Sequence, residues 1–140
     1  MNNLNYGIIG NCRTAALVSD KGSLDWCCLP EFDSASVFAK LLDEEKGGQF
    51  AFDVDNSFKI NQTYIKDTCI LKTEFISDSS SFEVYDFLAR YSKEDKSYHT
   101  PPEVIRYLKV TKGVPKVKID FSLFRHTTRT NSVISSNTVP

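Results

Sequence analysis

Residues 9–43 read IGNCRTAALVSDKGSLDWCCLPEFDSASVFAKLLD, and this stretch decides the fold of the first part of the chain. It opens with an apolar segment that predicts a β-strand, and a turn follows at Gly22. A second apolar segment runs into Trp26, and Pro30 ends the strand pattern. The stretch therefore predicts two adjacent strands joined by a tight turn.

The end of this stretch predicts a short helix near residues 34–43. Asp33 and Ser34 are residue types that cap helix N-termini, since their side chains accept hydrogen bonds from free backbone N–H groups. At helical spacing the apolar residues that follow share one face: Val37, Phe38, Leu41 and Leu42.

The remainder of the chain has a hydrophobic period of two, which is typical of strands with one buried and one wet face. The clearest example covers residues 117–123, and residues 58–64 alternate likewise. Residues 69–76 and 103–111 are rich in β-branched and aromatic residues and predict central strands. The fold class predicted is all-β, an antiparallel β-sandwich with one short helix.

The same residues carry a resemblance. The segments concerned are a Tyr-Gly start, Gly-Asn, Arg-Thr-Ala-Ala-Leu-Val, Asp-Trp and Phe-Asp-Ser-x-Ser-Val-Phe. Together they resemble the N-terminal signature of bacterial and archaeal glucoamylase-like proteins of glycoside hydrolase family 15, which include related trehalases. Val84-Tyr85-Asp86-Phe87 resembles a later strand of that family. Two positions depart from the pattern: Glu31 replaces the usual Arg, and Ala35 replaces the usual Pro. The positions that match the first signature are Tyr6, Gly7, Gly10, Asn11, Arg13, Trp26, Phe32, Asp33, Ser34, Ser36, Val37 and Phe38.

The resemblance implies a non-catalytic, supersandwich-like N-terminal domain that precedes an (α/α)6 barrel. In such a parent protein the barrel hydrolyses α-linked glucosides with inversion, using two glutamates that have no counterpart in this chain. We therefore expect residues 1–140 to be a single N-terminal sandwich domain or part of one, and to be inactive alone. Residues 91–102 are expected to form an exposed crossing loop, and residues 125–140 a frayed tail. The expected partners are the parent's own catalytic barrel and, through it, the α-glucoside.

Composition agrees with an ordered globular domain, at 41% hydrophobic and 25% charged residues over 140 positions. The net charge of -1 and the pI near 6.1 exclude the basic footprint of a nucleic-acid binder. Residues 1–6 lack the cationic start of a signal peptide, and no apolar run is long enough to cross a bilayer, so a cytoplasmic location without membrane contact is expected. The cysteines are expected to be reduced and buried; pairing of Cys12 or Cys69 with Cys27 or Cys28 is the alternative.

Five residues are candidates for a functional surface, facing the barrel or close to sugar. Aromatic rings stack on sugars and carboxylates bind their hydroxyl groups, while an alternative structural interpretation gives Asp25 a turn, Asp33 a cap and Trp26 a place in the core. No cofactor and no metal site are predicted, because His99 and His126 have no ligands at suitable spacing. The candidates are Arg13, Asp25, Trp26, Phe32 and Asp33.

Two other functions remain open from the sequence. The chain could be a self-standing carbohydrate-binding module in which Trp26, Phe32 and nearby tyrosines form a sugar platform. It could also be an interaction module that pairs through a sheet edge. Because a sandwich cut short leaves an edge unpaired, self-association is expected, with residues 117–123 as the favoured edge.

Overall fold

The computed structural model describes residues 5–124, and these residues are almost entirely β-structure. Alternating apolar residues drive this, because each strand places every second side chain in the core. The strands are β1 (Tyr6–Gly10), β2 (Ala15–Ser19), β3 (Leu24–Cys28), β4 (Ser36–Ala39), β5 (Gln49–Asp53), β6 (Lys59–Tyr64), β7 (Leu71–Ile76), β8 (Ser81–Leu88), β9 (Tyr91–Ser92), β10 (Tyr98–His99), β11 (Val104–Lys112) and β12 (Lys118–Ser122).

Two antiparallel sheets face each other. The first sheet has the order β1-β2-β3-β5-β12, with β4 also paired to β3. The second sheet has the order β11-β8-β7-β6. All pairings are antiparallel, so the predicted all-β antiparallel sandwich is confirmed.

The core between the sheets has two neighbouring parts. One part joins the first sheet to Leu71 and Leu88 of the second. The other part is aromatic, and in it the rings of Phe75 and Phe82 stack with centroids 4.4 Å apart. The first part is built on the fully buried Ile9, Ala16, Val18, Leu24 and Cys27.

An ion pair within the second sheet is also buried in this core. Asp86 of β8 and Arg106 of β11 are paired in register, and their side chains are 0% and 1% exposed. The guanidinium also donates to the carbonyl oxygens of Phe50 and Gly22, which belong to the first sheet and its β2–β3 turn. It lies 4.9 Å from the ring centroid of Phe50 and 4.8 Å from that of Phe52. One buried cation therefore connects the two sheets.

The prediction of a helix near residues 34–43 is wrong. Ser36–Ala39 forms β4, in which Phe38 pairs with Cys27 and Ala39 with Trp26. Phe38 is 5% exposed and Ala39 is 2% exposed, so the strand buries two consecutive side chains that point to opposite faces. The following turns fold back to Gly47, whose carbonyl accepts a 2.7 Å hydrogen bond from Ala39 N–H. Tertiary pairing overrides the local helical pattern here.

Two other segments were predicted to be irregular, and the structure describes one of them. Within residues 91–102 the short strands β9 and β10 form an exposed two-stranded ribbon. Residues 125–140, predicted to be a frayed tail, lie outside the described residues.

Candidate functional site

The outer face of the first sheet carries a row of apolar side chains. Ile8 pairs with Leu17, and Leu17 pairs with Trp26, so the three lie side by side across β1, β2 and β3. Their chain neighbours Ile9, Ala16 and Cys27 are fully buried, which places the row on the opposite, outward face. Ile8 is 58% exposed, whereas Leu17 and Trp26 are partly buried.

Phe32 extends this row from the loop after β3. Its ring meets Trp26 edge to face, with centroids 5.7 Å apart and planes at 66°, and Phe32 is 61% exposed. We call Ile8, Leu17, Trp26 and Phe32 the outer apolar surface. Contiguous exposed apolar groups of this kind mark contact surfaces on many proteins.

Arg13 positions the loop that carries Phe32. Its carbonyl accepts a hydrogen bond from Phe32 N–H at 3.1 Å, and its guanidinium binds Glu31 at 3.2 Å and the Thr100 carbonyl at 3.3 Å. Glu31 stands where the family pattern has Arg, and here it supplies the anion that Arg13 pairs with. Since both side chains are partly exposed, the pair contributes little stability and mainly fixes orientation.

Asn11 anchors the β1–β2 turn, a role that the sequence did not predict. Its side chain is buried, and its amide donates to the carbonyls of Ala89 and Pro101 at 3.2 and 3.0 Å. Its oxygen accepts from Arg13 and Thr14 N–H. A polar residue directly after an apolar strand was the only available signal, and it did not identify partners that lie far along the chain.

Asp25 belongs to a polar cluster on the same outer face. It is 5% exposed, and its two carboxylate oxygens accept hydrogen bonds from Tyr6 at 3.1 Å and Ser23 at 2.5 Å. Burial, together with the negative charge of Asp25, raises the pKa of Tyr6 to about 12. The carboxylate is thus engaged by neighbouring hydroxyl groups instead of closing a turn.

The polar cluster continues across the sheet to β12. Gln49 of β5 accepts a hydrogen bond from Lys40 and donates to Asp120 over 2.5 Å. With the hydrogen bond from the Ser23 hydroxyl to Gln49, these contacts connect β3, β5 and β12 on the outer surface. The cluster consists of Tyr6, Ser23, Asp25, Lys40, Gln49 and Asp120.

The five predicted residues therefore fall into separate environments. Trp26, Phe32 and Arg13 form one assembly, and Asp25 belongs to the polar cluster. Asp33 is exposed in the loop, where the Ser34 hydroxyl accepts the 3.0 Å hydrogen bond of Glu31 N–H. Within residues 5–124, His, Cys, Asp and Glu form no group of three that could hold a metal ion.

The cysteines differ from the expectation in their burial. All four are unpaired; Cys27 and Cys28 are buried as expected, whereas Cys12 and Cys69 are exposed. Burial, with a smaller effect of Cys28, raises the pKa of the Cys27 thiol to about 11.

Comparison with known proteins decides the family. The family model described as "Trehalase-like, N-terminal" matches residues 5–125, which include every strand described above. The chain belongs to the trehalase-like N-terminal family. No solved structure gives a significant match to it.

Similar proteins from archaea and bacteria carry the name trehalase. This trehalase-like N-terminal chain is 42% identical over 85 residues to trehalase 2 of Sulfolobus acidocaldarius, covering 61% of the chain and 14% of that protein. It is 38% identical over 119 residues to the trehalase of Thermoplasma volcanium, covering 83% and 19%. With the trehalase of Mycolicibacterium smegmatis it shares 32% identity over 83 residues, covering 59% and 12%. The chain thus spans less than a fifth of the length of these curated relatives.

Among the residues that the structure describes, none form a helix long and apolar enough to cross a bilayer.

Proposed function

We propose that this chain is the non-catalytic N-terminal β-sandwich of a larger trehalase-like hydrolase. In this proposal the parent is a glycoside hydrolase of family 15 that hydrolyses an α-glucoside with inversion in a separate (α/α)6 barrel. The observation that carries the proposal is the family match over residues 5–125, combined with trehalase relatives more than five times as long as the matched region.

The chemistry of the described residues supports a non-catalytic role. Inverting hydrolysis needs one carboxylic acid and one carboxylate facing each other across the sugar. Asp25 is buried and already accepts two hydrogen bonds, so its carboxylate has no open approach for a substrate. Asp33 lies in an exposed loop, and the carboxylate of Glu31 in the same loop is already paired with Arg13.

We assign the outer apolar surface to contact with the catalytic barrel. Phe32 is 61% exposed, yet its loop is held by the Arg13 carbonyl and by the pair of Arg13 with Glu31. A fixed, exposed aromatic side chain is characteristic of interface anchors, because little conformational entropy is lost when a partner covers it. Asp33, next to this anchor, would lie at the rim of the same contact.

The ring geometry supports this assignment over a sugar platform. A flat sugar face stacks on rings that lie in one plane, whereas the planes of Trp26 and Phe32 meet at 66°. Two rings at this angle form a wedge that suits a grooved protein surface. The α-glucoside is therefore a partner of the barrel in this proposal, and nucleic acid and membrane are not partners. Four unpaired cysteines are in keeping with a reducing, cytoplasmic location.

A chimaera tests the proposal. In the trehalase of Thermoplasma volcanium, the region that matches this chain is replaced by residues 5–124 of this chain. We expect the chimaera to release glucose from trehalose, and we expect the isolated chain to release none above a heat-inactivated control. Glucose release by the isolated chain, abolished by Asp25→Asn or Asp33→Asn, would contradict the non-catalytic role.

Phe32→Ala in the chimaera tests the contact surface. We expect the chimaera's activity to decay severalfold faster at elevated temperature, because a hydrophobic anchor against the barrel is lost. Tyr107→Ala is the matched control, since Tyr107 is an aromatic residue 58% exposed on β11 of the other sheet. Equal decay rates for the two variants would contradict a role for the outer apolar surface and would favour a free-standing binding module.

A further inference from the structure

A surface cavity of about 460 Å³ lies at the end of β1 and contains two thiols. Cys12 and Cys69 both line it, together with apolar side chains that include Ile8, Ala15 and Phe32. Both cysteines are exposed, so small molecules in solution can reach them. They lie far apart in the sequence, in two turns, one joining strands of the first sheet and the other joining strands of the second.

The topology explains why both cysteines line this cavity. Tyr64, the last residue of β6, hydrogen-bonds the backbone of Ile8 through its hydroxyl group at 2.7 and 2.8 Å. Leu71, the first residue of β7, lies directly against Gly7. The β6–β7 hairpin therefore runs along the edge of β1, and its tip reaches the β1–β2 turn. Cys69 is in that tip and Cys12 is in that turn.

The surroundings of Cys12 favour reaction at its sulfur. The Arg90 guanidinium donates to Cys12 Sγ over 2.7 Å, and Arg90 is itself held over the Tyr98 ring, 4.0 Å from the centroid. The guanidinium thus holds a charged hydrogen-bond donor against a sulfur that lines the open cavity. Cys12 also has a φ of 70°, a left-handed conformation that is uncommon for a cysteine.

The other two cysteines lack these properties. Cys27 is fully buried and Cys28 is 4% exposed. Burial raises the pKa of the Cys27 thiol, which opposes its ionisation. The chain thus contains one accessible pair of thiols and one inaccessible pair, and the second pair is an internal control.

We propose that Cys12 and Cys69 are a peroxide-sensitive dithiol that closes into an intramolecular disulfide. The Cys12 thiolate attacks one oxygen of hydrogen peroxide, the O–O bond breaks, and Cys12 becomes a sulfenic acid as hydroxide leaves. Cys69 then attacks the Cys12 sulfur, the S–S bond forms, and the sulfenic oxygen leaves as water with the Cys69 proton. Two thiols are oxidised, and one peroxide is reduced to two waters.

The disulfide would join the first sheet to the second at the end of β1. Cross-linking residues that are far apart in the sequence restricts the unfolded chain, so the oxidised form is expected to be more stable. For a domain of this size we expect Tm to rise by about 5–10 °C. This inference does not rest on the proposed hydrolase role, because it concerns thiols outside any catalytic barrel.

The test is peroxide oxidation of the reduced full chain followed by alkylation and mass spectrometry. We expect the chain to lose the mass of two hydrogen atoms, to keep two alkylatable thiols after denaturation, and to yield one linked peptide that contains Cys12 and Cys69. The rise in Tm should disappear when a reductant is added. If the thiols of Cys12 and Cys69 both remain alkylatable after peroxide treatment, the proposal is wrong. It is also wrong if the linked peptides come only from two different chains.

Three variants make the test specific. Cys69→Ser should stop at the sulfenic acid of Cys12, which a dimedone probe captures, and Cys12→Ser should show neither product. Arg90→Gln should form the disulfide severalfold more slowly, with unchanged circular dichroism. The double variant Cys27→Ser, Cys28→Ser is the control and should form the disulfide as the unmodified chain does. Loss of the disulfide in this control, or its persistence in Cys69→Ser, would overturn the assignment.

Discussion

Asp86 and Arg106 form a two-point ion pair inside the sandwich, with N···O distances of 2.7 and 3.0 Å. Two N–H groups of the guanidinium face the two carboxylate oxygens, a bidentate arrangement that arginine alone among the basic side chains provides. The same guanidinium donates to the carbonyls of Phe50 and Gly22, so each of its three nitrogens has a hydrogen-bond acceptor within the protein. The pair thereby fixes how the two sheets are placed relative to each other.

Removing the charge of Asp86 should be strongly destabilising. In Asp86→Asn the buried Arg106 cation loses its counter-charge, and we expect the free energy of unfolding to fall by about 3–5 kcal/mol. Urea denaturation followed by circular dichroism measures this. Asp53→Asn is the control, because Asp53 and Lys118 pair at 3.7 Å while 61% and 67% exposed, and its loss should cost less than about 1 kcal/mol. Similar losses in the two variants would show that burial does not strengthen the Asp86 contact.

Phe32 and Phe38 should differ sharply in their contribution to stability. Phe38→Ala empties a core position that is 5% exposed, and we expect a loss of about 3–5 kcal/mol. Phe32→Ala changes a side chain that is 61% exposed, and we expect a loss below about 1 kcal/mol. Thermal and urea unfolding of the isolated chain measure both values. A large loss for Phe32→Ala would make Phe32 part of the fold and remove it from the proposed contact surface.

Tyr6 should make stability depend on alkaline pH. Its pKa is raised from 10.0 to about 12 in the folded chain, so the folded chain holds this proton more tightly than the unfolded chain. The contribution is complete below pH 10.0 and is lost as pH rises through about 12. Tyr6→Phe lacks this contribution. The difference in unfolding free energy between the unmodified chain and Tyr6→Phe should therefore decrease as pH rises.

The measurement compares urea midpoints of the unmodified chain and Tyr6→Phe at pH about 8 and about 11. Tyr107→Phe is measured beside it as the matched substitution at an exposed position. If the difference in stability between the unmodified chain and Tyr6→Phe increased with pH, the upward direction assigned to the Tyr6 pKa shift would be wrong.

Self-association of the chain is also expected. In the described part of the first sheet, β12 pairs with β5 on one side only, so its other backbone edge is open to a second copy. Sedimentation velocity at micromolar concentration should show a dimer. The experiment is run with a reductant, because Cys12 and Cys69 are exposed and could cross-link chains. A monomer over the whole concentration range would contradict this prediction.

Local pattern predicted the strands well and the long-range contacts poorly. Alternation at residues 117–123 and 58–64 indicated β12 and β6, because a period of two depends only on neighbouring residues. The segment 34–43 was misassigned, since the pairing of Phe38 with Cys27 that makes it a strand is tertiary. Trp26 and Phe32 were identified as a pair, whereas the partners of Asp25 were not. Tyr6 and Ser23 reach that carboxylate only after a sheet has formed.

The hydroxyl group of Tyr64 determines which edge of the first sheet can pair with another strand. It accepts from the N–H and donates to the carbonyl of Ile8 at the β1 edge, the two groups that an incoming strand would need there. One end of this sheet is therefore closed by a side chain, while at the other end β12 has a paired strand on one side only within residues 5–124. Two copies can join through their open ends, and the joined sheet then has closed ends on both sides. Such an assembly stops at a pair and does not propagate into a filament.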